Sequence, residues 1–183
     1  DTSRREVMRA AVAAGAGMVN DVYALRREGA LDAVAELGVP VCLMHMQGEP
    51  RSMQDEPHYE DVVGEVHRFL TDRLFACELA GMDRRKVLVD PGFGFGKTLE
   101  HNLALLSNMD RLEVAGRPVL LGLSRKRMLG AVLGDAEQGR APLSTAVMTV
   151  WGHLHGARIH RVHDVEECAR ALRLVQAAEP FVR

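Results

Sequence analysis

The 183-residue sequence predicts an α/β domain built on a parallel sheet. Three observations carry that prediction. Short apolar runs alternate with longer amphipathic stretches along the whole chain. No two apolar runs are joined by an Asn-Gly hairpin turn, so neighbouring strands do not read as antiparallel. Each run ends in polar or charged residues, at the C-terminal strand ends where parallel α/β folds place their chemistry.

Taken in order, Asp1-Thr2 reads as the end of a strand stub, and Ser3 with Glu6 has the spacing of a capping box for a helix over 4–14. Gly15 and Gly17 end that helix. Met18 to Asp21 reads as a buried strand, 31–37 as a helix stopped by Gly38, and Val39 to Met46 as a second strand. The polar segment 47–61, with two prolines and many charges, reads as an exposed connection. Val62, Val63, Val66, Phe69, Leu70, Leu74 and Cys77 then form the stripe of a long helix closed by Gly81. A third strand covers Val87 to Asp90, followed by a helix over about 99–106 and room for another short one. The fourth strand is Pro118 to Ser124, with a helix starting in Arg125-Lys126-Arg127. A loop over 134–142 leads to a helix rich in small residues, suited to close packing. The fifth strand is Ala157 to Val165, and a last amphipathic helix covers 166–179.

Composition narrows the function classes. A hydrophobic content of 47% places the chain among globular rather than disordered sequences. A net charge of -2, with both signs interspersed, argues against a nucleic-acid surface built on bulk charge. Aromatic residues at 4% argue against base-stacking platforms. Cys42, Cys77 and Cys168 are odd in number and far apart, without a C-x-x-C pair, and read as thiols in a reducing cytoplasm. No apolar run approaches the length of a membrane span. The chain opens on Asp1, and reads as starting inside a domain.

The segment VLVDPGFGFGKTLEHN, Val87 to Asn102, resembles a phosphate loop but fails both phosphate motifs by one residue. A Walker A loop needs a glycine where Pro91 stands. The dinucleotide fingerprint needs a glycine where Lys97 stands. Gly92, Gly94 and Gly96 therefore serve either a structural turn or close approach of the backbone to something, and Asp90 at the strand end is the residue they frame. Lys97 reads as a solvated surface lysine.

The other strand ends add Asp1-Thr2, Asn20-Asp21, His45-Met46-Gln47, Ser124-Arg125-Lys126 and Arg161-Val162-His163-Asp164. Asp1, Asn20 and Asp164 also suit helix N-caps. Ser124-Arg125-Lys126 at a helix start gathers a hydroxyl, backbone N–H groups and two cations, which suits an anion. Arg161 and His163 lie two apart on a strand and share a face. His153 and His155, two apart on a helix, face different ways, which argues against a histidine metal site. Carboxylates and an amide on the early strands, with cations on the later ones, suit a nitrogen-rich heterocycle tied to a phosphate-like group.

DPGFGFGKTLEHN, LGLSRKRMLG, RVHDV, VCLMHMQGEPRSMQ and MVNDV stand here in the order of, and closely resemble, the dihydropteroate synthase family. The resemblance runs from Asp1 to about Ala178. It implies a (β/α)8 barrel, usually a cytoplasmic homodimer, that joins 6-hydroxymethyl-7,8-dihydropterin pyrophosphate to p-aminobenzoate and releases pyrophosphate. Sulfonamides mimic the second substrate of that family. By match to the family's motifs, Asp1, Asn20 and Asp90 hold the pterin, with Met44 packed against it. Arg161 and His163 bind pyrophosphate, and Ser124 with the helix start after it receives the p-aminobenzoate carboxylate. Phe95 packs beside the aminobenzoate ring, and Lys126 lies between the two substrates. Lys126, Asp90 and Arg161 form the implied catalytic set, in a dissociative substitution assisted by Mg²⁺.

On this reading the glycine loop lets the backbone pass close to both substrates and is not a phosphate cradle. Residues 1–183 form one barrel domain, N-terminally incomplete, holding roughly strands 4–8 and the end of strand 3. The metal ligand is expected in the part preceding Asp1, and the chain by itself is expected to be an inefficient enzyme. Two other readings share the pterin residues: a pterin-dependent methyltransferase domain and a non-catalytic pterin-binding module. The methyltransferase has no evident use for the cations at Ser124-Arg125-Lys126 and Arg161-x-His163.

Overall fold

The computed structural model describes residues 1–49, 52–53 and 55–179. Parts of the predicted exposed connection, Pro50, Arg51 and Gln54, lie outside the described residues. Five strands, β1 (Val19–Asp21), β2 (Val41–Met44), β3 (Val87–Asp90), β4 (Val119–Leu121) and β5 (Ala157–His160), form one sheet in the order β1-β2-β3-β4-β5. All four pairings are parallel. Each crossover therefore advances one strand in the same direction, as in an arc of a (β/α) barrel and unlike a doubly wound sheet, whose order reverses. The crossovers carry α2 (Ala30–Leu37), α3 (Val62–Leu79), α4 (Leu99–Ser107), and α5 (Arg127–Leu133) with α6 (Ala136–Arg140) and α7 (Pro142–Leu154). α1 (Arg5–Ala13) precedes β1 and α8 (Val165–Ala178) follows β5.

Strand periodicity separates the two faces of the sheet. Val41, Leu43, Val87, Val89, Val119 and Leu121 join the large core beneath the helices, with Val66, Leu70, Leu105 and Leu112. Cys42, Leu88, Leu120 and Ile159 form a separate apolar layer on the opposite, inner face. Two residues beyond that layer, on the same parity, stand Met44, Asp90, Gly122 and Arg161. Asn20 pairs with Cys42 in register and so shares the inner face. The Thr2 N–H donates to the Asn20 carbonyl at 3.0 Å. Val19 donates in the same way to the Pro40 carbonyl while pairing with Val41, so by that geometry Asp1 stands beside Asn20. The predicted strand stub is thus seated against β1.

The differences from expectation are local. Ser3 does not cap α1. Its hydroxyl donates to the Asp21 carboxylate, the N-cap position falls to Arg4 without a side-chain cap, and Glu6 pairs with Arg5 instead. Asp21 is fully buried and already accepts the Tyr23 and Leu25 N–H groups, so a charged acceptor outcompetes the weaker cap. β2, β4 and β5 end at Met44, Leu121 and His160, sooner than the apolar runs suggest, so Arg161 and His163, expected two apart on a strand, both lie beyond β5. α5 begins at Arg127, because Arg125 adopts a left-handed φ of 57° that no helix can include. Among the described residues no helix is long and apolar enough to cross a membrane.

Candidate active site

Asp90 closes β3 on the inner face and is 1% exposed. Its Oδ1 accepts the Gly92 N–H at 2.7 Å, and its Oδ2 accepts from Arg161 Nη2 at 3.3 Å. Burial pushes the carboxyl pKa up, and the Arg161 guanidinium, the Gly92 N–H and the Lys126 and Lys97 ammonium groups oppose it. Arg161 reaches Asp90 across the end of β4, where Gly122 leaves room. A Cβ at position 122 would stand 2.8 Å from Arg161 Nη2. The other terminal nitrogen, Nη1, is buried with no partner among the described residues.

Asn20 is buried on the same face, and neither its amide nitrogen nor its amide oxygen finds a partner among the described residues. An unmet buried polar group costs about 1–3 kcal/mol, which a ligand offering both a donor and an acceptor would offset. Met44 is fully buried and pairs with Asp90 in register, and its Cγ lies 3.3 Å from where a Gly92 Cβ would be. Asn20, Met44, Asp90 and Arg161 therefore meet on one face as the sequence predicts, with Asp1 placed beside Asn20 by register.

The predicted anion cluster Ser124-Arg125-Lys126 does not hold together. Ser124 Oγ lies 2.8 Å from His163 Nδ1, accepts the His163 N–H at 3.1 Å and lies 3.3 Å from Thr145 Oγ1. Arg125, turned by its positive φ, leaves the group and pairs with the Asp164 carboxylate at 2.7 Å. Asp164 holds the N-cap position of α8 but makes no cap hydrogen bond. Lys126 alone turns toward Asp90. Its Nζ stands 4.2 Å from the centre of the Phe95 ring, a cation–π contact. Burial lowers the Lys126 pKa, with Asp90 opposing. Gly94, Phe95, Lys126 and Met128 help line a cavity of about 490 Å³ that opens beside this pair.

Lys97 is not a solvated lysine. It is 3% exposed. Its Nζ donates to the Gly92 carbonyl at 2.9 Å and the Phe95 carbonyl at 3.0 Å, and lies 2.9 Å from His45 Nδ1. Burial, and then the Lys97 charge, push the His45 pKa down to about 2, so the imidazole is neutral. Burial draws the Lys97 pKa down to about 7, with the Asp90 carboxylate opposing. Gly92, Gly94 and Gly96 all have positive φ, at 70°, 75° and 60°. At Gly92 and Gly96 a Cβ would run into the His45 and Gln47 carbonyls, so these two glycines seat the loop on the end of β2. Asn102 and Tyr59 complete the frame: Asn102 Oδ1 accepts the Gly94 N–H at 2.7 Å, and the Tyr59 hydroxyl donates to the Gly96 carbonyl at 2.8 Å. Sequence reading missed Lys97, His45 and Asn102 in these roles. The available signal was a glycine-rich loop whose left-handed turns leave carbonyls in need of donors, with one lysine in reach.

Comparison with known proteins gives the family. The family model described as "Pterin binding enzyme" matches residues 1–163. The dihydropteroate synthase of Escherichia coli (strain K12) is 46% identical over 179 residues, which are 97% of this chain and 62% of that protein. The chain thus spans less than two thirds of that relative's length. The crystal structure of dihydropteroate synthase from Stenotrophomonas maltophilia with active site-bound imidazole superposes with a TM-score of 0.95 at 54% identity, covering 100% of this chain and 69% of that one. Dihydropteroate synthase from Xanthomonas albilineans in complex with 7,8-dihydropteroate gives 0.89 at 52% identity, covering 98% and 65%. By the family match and by these relatives, the chain belongs to the pterin-binding enzyme family.

Proposed function

We propose that the protein is a dihydropteroate synthase, joining 6-hydroxymethyl-7,8-dihydropterin pyrophosphate to p-aminobenzoate. One observation carries this reading: a buried carboxylate, Asp90, shares a face with the unpartnered amide of Asn20 and is flanked by the cations Arg161 and Lys126. Asp90 and Asn20, with Asp1 beside them, would accept from and donate to the edge of the pterin, while Met44 packs on the ring. Arg161, through its free Nη1, and His163 would hold the pyrophosphate.

The bond between the pterin methylene carbon and the pyrophosphate oxygen breaks first, and its electron pair leaves with pyrophosphate. The cationic methylene, stabilised by the ring, is then attacked by the aromatic amine, which loses a proton as the C–N bond forms. Lys126, between Asp90 and Phe95, faces both reactants, and Phe95 lies along the aminobenzoate ring. The Ser124 hydroxyl already bonds to His163, so it would reach the carboxylate of p-aminobenzoate only by sharing that bond.

Among the described residues no group of three or more His, Cys, Asp or Glu side chains could hold a metal ion. We route no step through the Mg²⁺ that the family resemblance implies. We further place residues 1–183 as one arc of a larger barrel domain, a reading supported by the one-way strand order and the share of the relatives covered. The exposed apolar side chains Leu143, Val147, Trp151 and Leu154 on α7, with Val165 and Leu174 on α8, support a homodimer formed through these helices. Three free buried thiols support a reducing, cytoplasmic setting. The test is pyrophosphate release by the full-length protein. Release that requires both substrates is expected. A folded protein that releases none with either order of addition would overturn the assignment.

A further inference from the structure

We propose that Lys97 is a positioning residue that preforms the aminobenzoate side of the site by fixing the glycine loop. This inference rests on the proposed reaction and concerns a residue whose Nζ meets protein partners only, two loop carbonyls and a ring nitrogen. Lys97 Nζ meets three polar partners: it donates to the Gly92 and Phe95 carbonyls at 2.9 and 3.0 Å, bonds that both the ammonium and the neutral amine can make, and lies 2.9 Å from His45 Nδ1. The loop's left-handed turns aim both carbonyls at one point. His45 is itself fixed, with its ring edge-on to Phe69 at 4.9 Å and its N–H bonded to the Asp90 carbonyl at 2.9 Å.

The two loop residues held by Lys97 have different duties. The Gly92 N–H holds the Asp90 carboxylate, and the Phe95 ring meets Lys126. Asp90 has other supports, because β3 pairs with β2 up to Asp90 itself and Arg161 binds its second oxygen. Phe95 stands on the loop, away from any strand; its carbonyl bonds to Lys97, and its N–H donates at 3.1 Å to the Gly92 carbonyl that Lys97 also holds, so both its backbone bonds run through the Lys97 cluster. Loss of Lys97 should therefore disturb Phe95 and the cavity beside it far more than it disturbs Asp90.

The experiment compares full-length wild type, Lys97→Met and His45→Phe. The last removes one polar partner while keeping a ring against Phe69. We expect Lys97→Met to raise the KM for p-aminobenzoate about tenfold or more, while the Kd for dihydropterin pyrophosphate shifts by no more than about threefold. His45→Phe should move the same KM in the same direction by about threefold. Equal shifts on both substrates, or none on p-aminobenzoate, would overturn the role given to Lys97. If Lys97→Met loses its thermal transition, His45→Phe alone decides by the same split. A wild-type protein that turns over neither substrate would instead overturn the assigned reaction, so the two failures are distinct.

Discussion

The polar residues at the C-terminal end of the sheet fall into two groups that differ in how fully the protein satisfies them. Lys97, Asn102 and the glycine loop form one group. There the Lys97 donors and the Asn102 oxygen meet protein partners, from His45 to the Gly94 N–H. Asn20 and Arg161 form the other, with the Asn20 amide and Arg161 Nη1 buried and unmet among the described residues. Both groups are built from side chains that look alike in a sequence. Within this mouth the difference separates scaffold from recognition surface, because burying an unmet polar group is costly unless a ligand completes it. His160, one residue off the inner-face parity, has both ring nitrogens buried and unmet among the described residues and belongs to neither group.

The largest expected effect comes from breaking the link between the groups. Arg161→Met leaves the buried Asp90 carboxylate without its guanidinium and takes away the proposed pyrophosphate donor. Turnover of the full-length protein should fall about a hundredfold or more in a steady-state assay. A loss under about threefold would show that Arg161 belongs with the scaffold.

Asn20→Leu sharpens the comparison because it should move stability and binding in opposite directions. Removing an unmet amide should leave the ligand-free fold unchanged or stabilise it by up to about 1 kcal/mol in denaturant melts. Dihydropterin pyrophosphate affinity should fall about tenfold, read by calorimetry. A strongly destabilised fold would mean that the amide has a structural partner.

The smallest effect concerns acid. His45 is held neutral with its pKa pushed down to about 2, mainly by burial, and His160 similarly to about 4, by burial and then by His153. Both folded values lie below the 6.5 of a free imidazole, so below that pH the unfolded chain binds more protons than the folded one. Stability is therefore predicted to decline as pH falls from 6.5 through about 4 for His160, and further for His45. His160→Phe should flatten the upper part of that decline in thermal melts. An unchanged slope would contradict the burial argument.

Much of this was readable from the chain. Alternating apolar runs and helical stripes point to the parallel sheet, and polar strand ends point to one shared mouth; the register that brings Asn20, Met44 and Asp90 to one face comes from the structure. The glycines at 92, 94 and 96 marked a loop needing positive φ, which it has. What stayed hidden depends on contacts between distant residues. Lys97 meets His45 across 52 positions, and Ser124 meets His163 across 39. The glycine run signals carbonyls in need of donors, but not that Lys97 meets them together with His45 from the end of another strand. No local pattern signals that Ser3 abandons a helix cap for Asp21, or that Arg125 turns out of a basic triplet to meet Asp164. For Ser3 and Arg125 a carboxylate from elsewhere in the chain outcompetes the local option.

The central claim is that the pterin half of the site is assembled on residues 1–183, with Asp90 as its reading carboxylate. The most direct measurement is a calorimetric titration of dihydropterin pyrophosphate into this chain and into its Asp90→Asn variant. Saturable binding by the wild-type chain, weakened about a hundredfold in the variant, is the predicted result. Equal affinities for the two chains, or binding by neither while both give a cooperative melt, would contradict the claim.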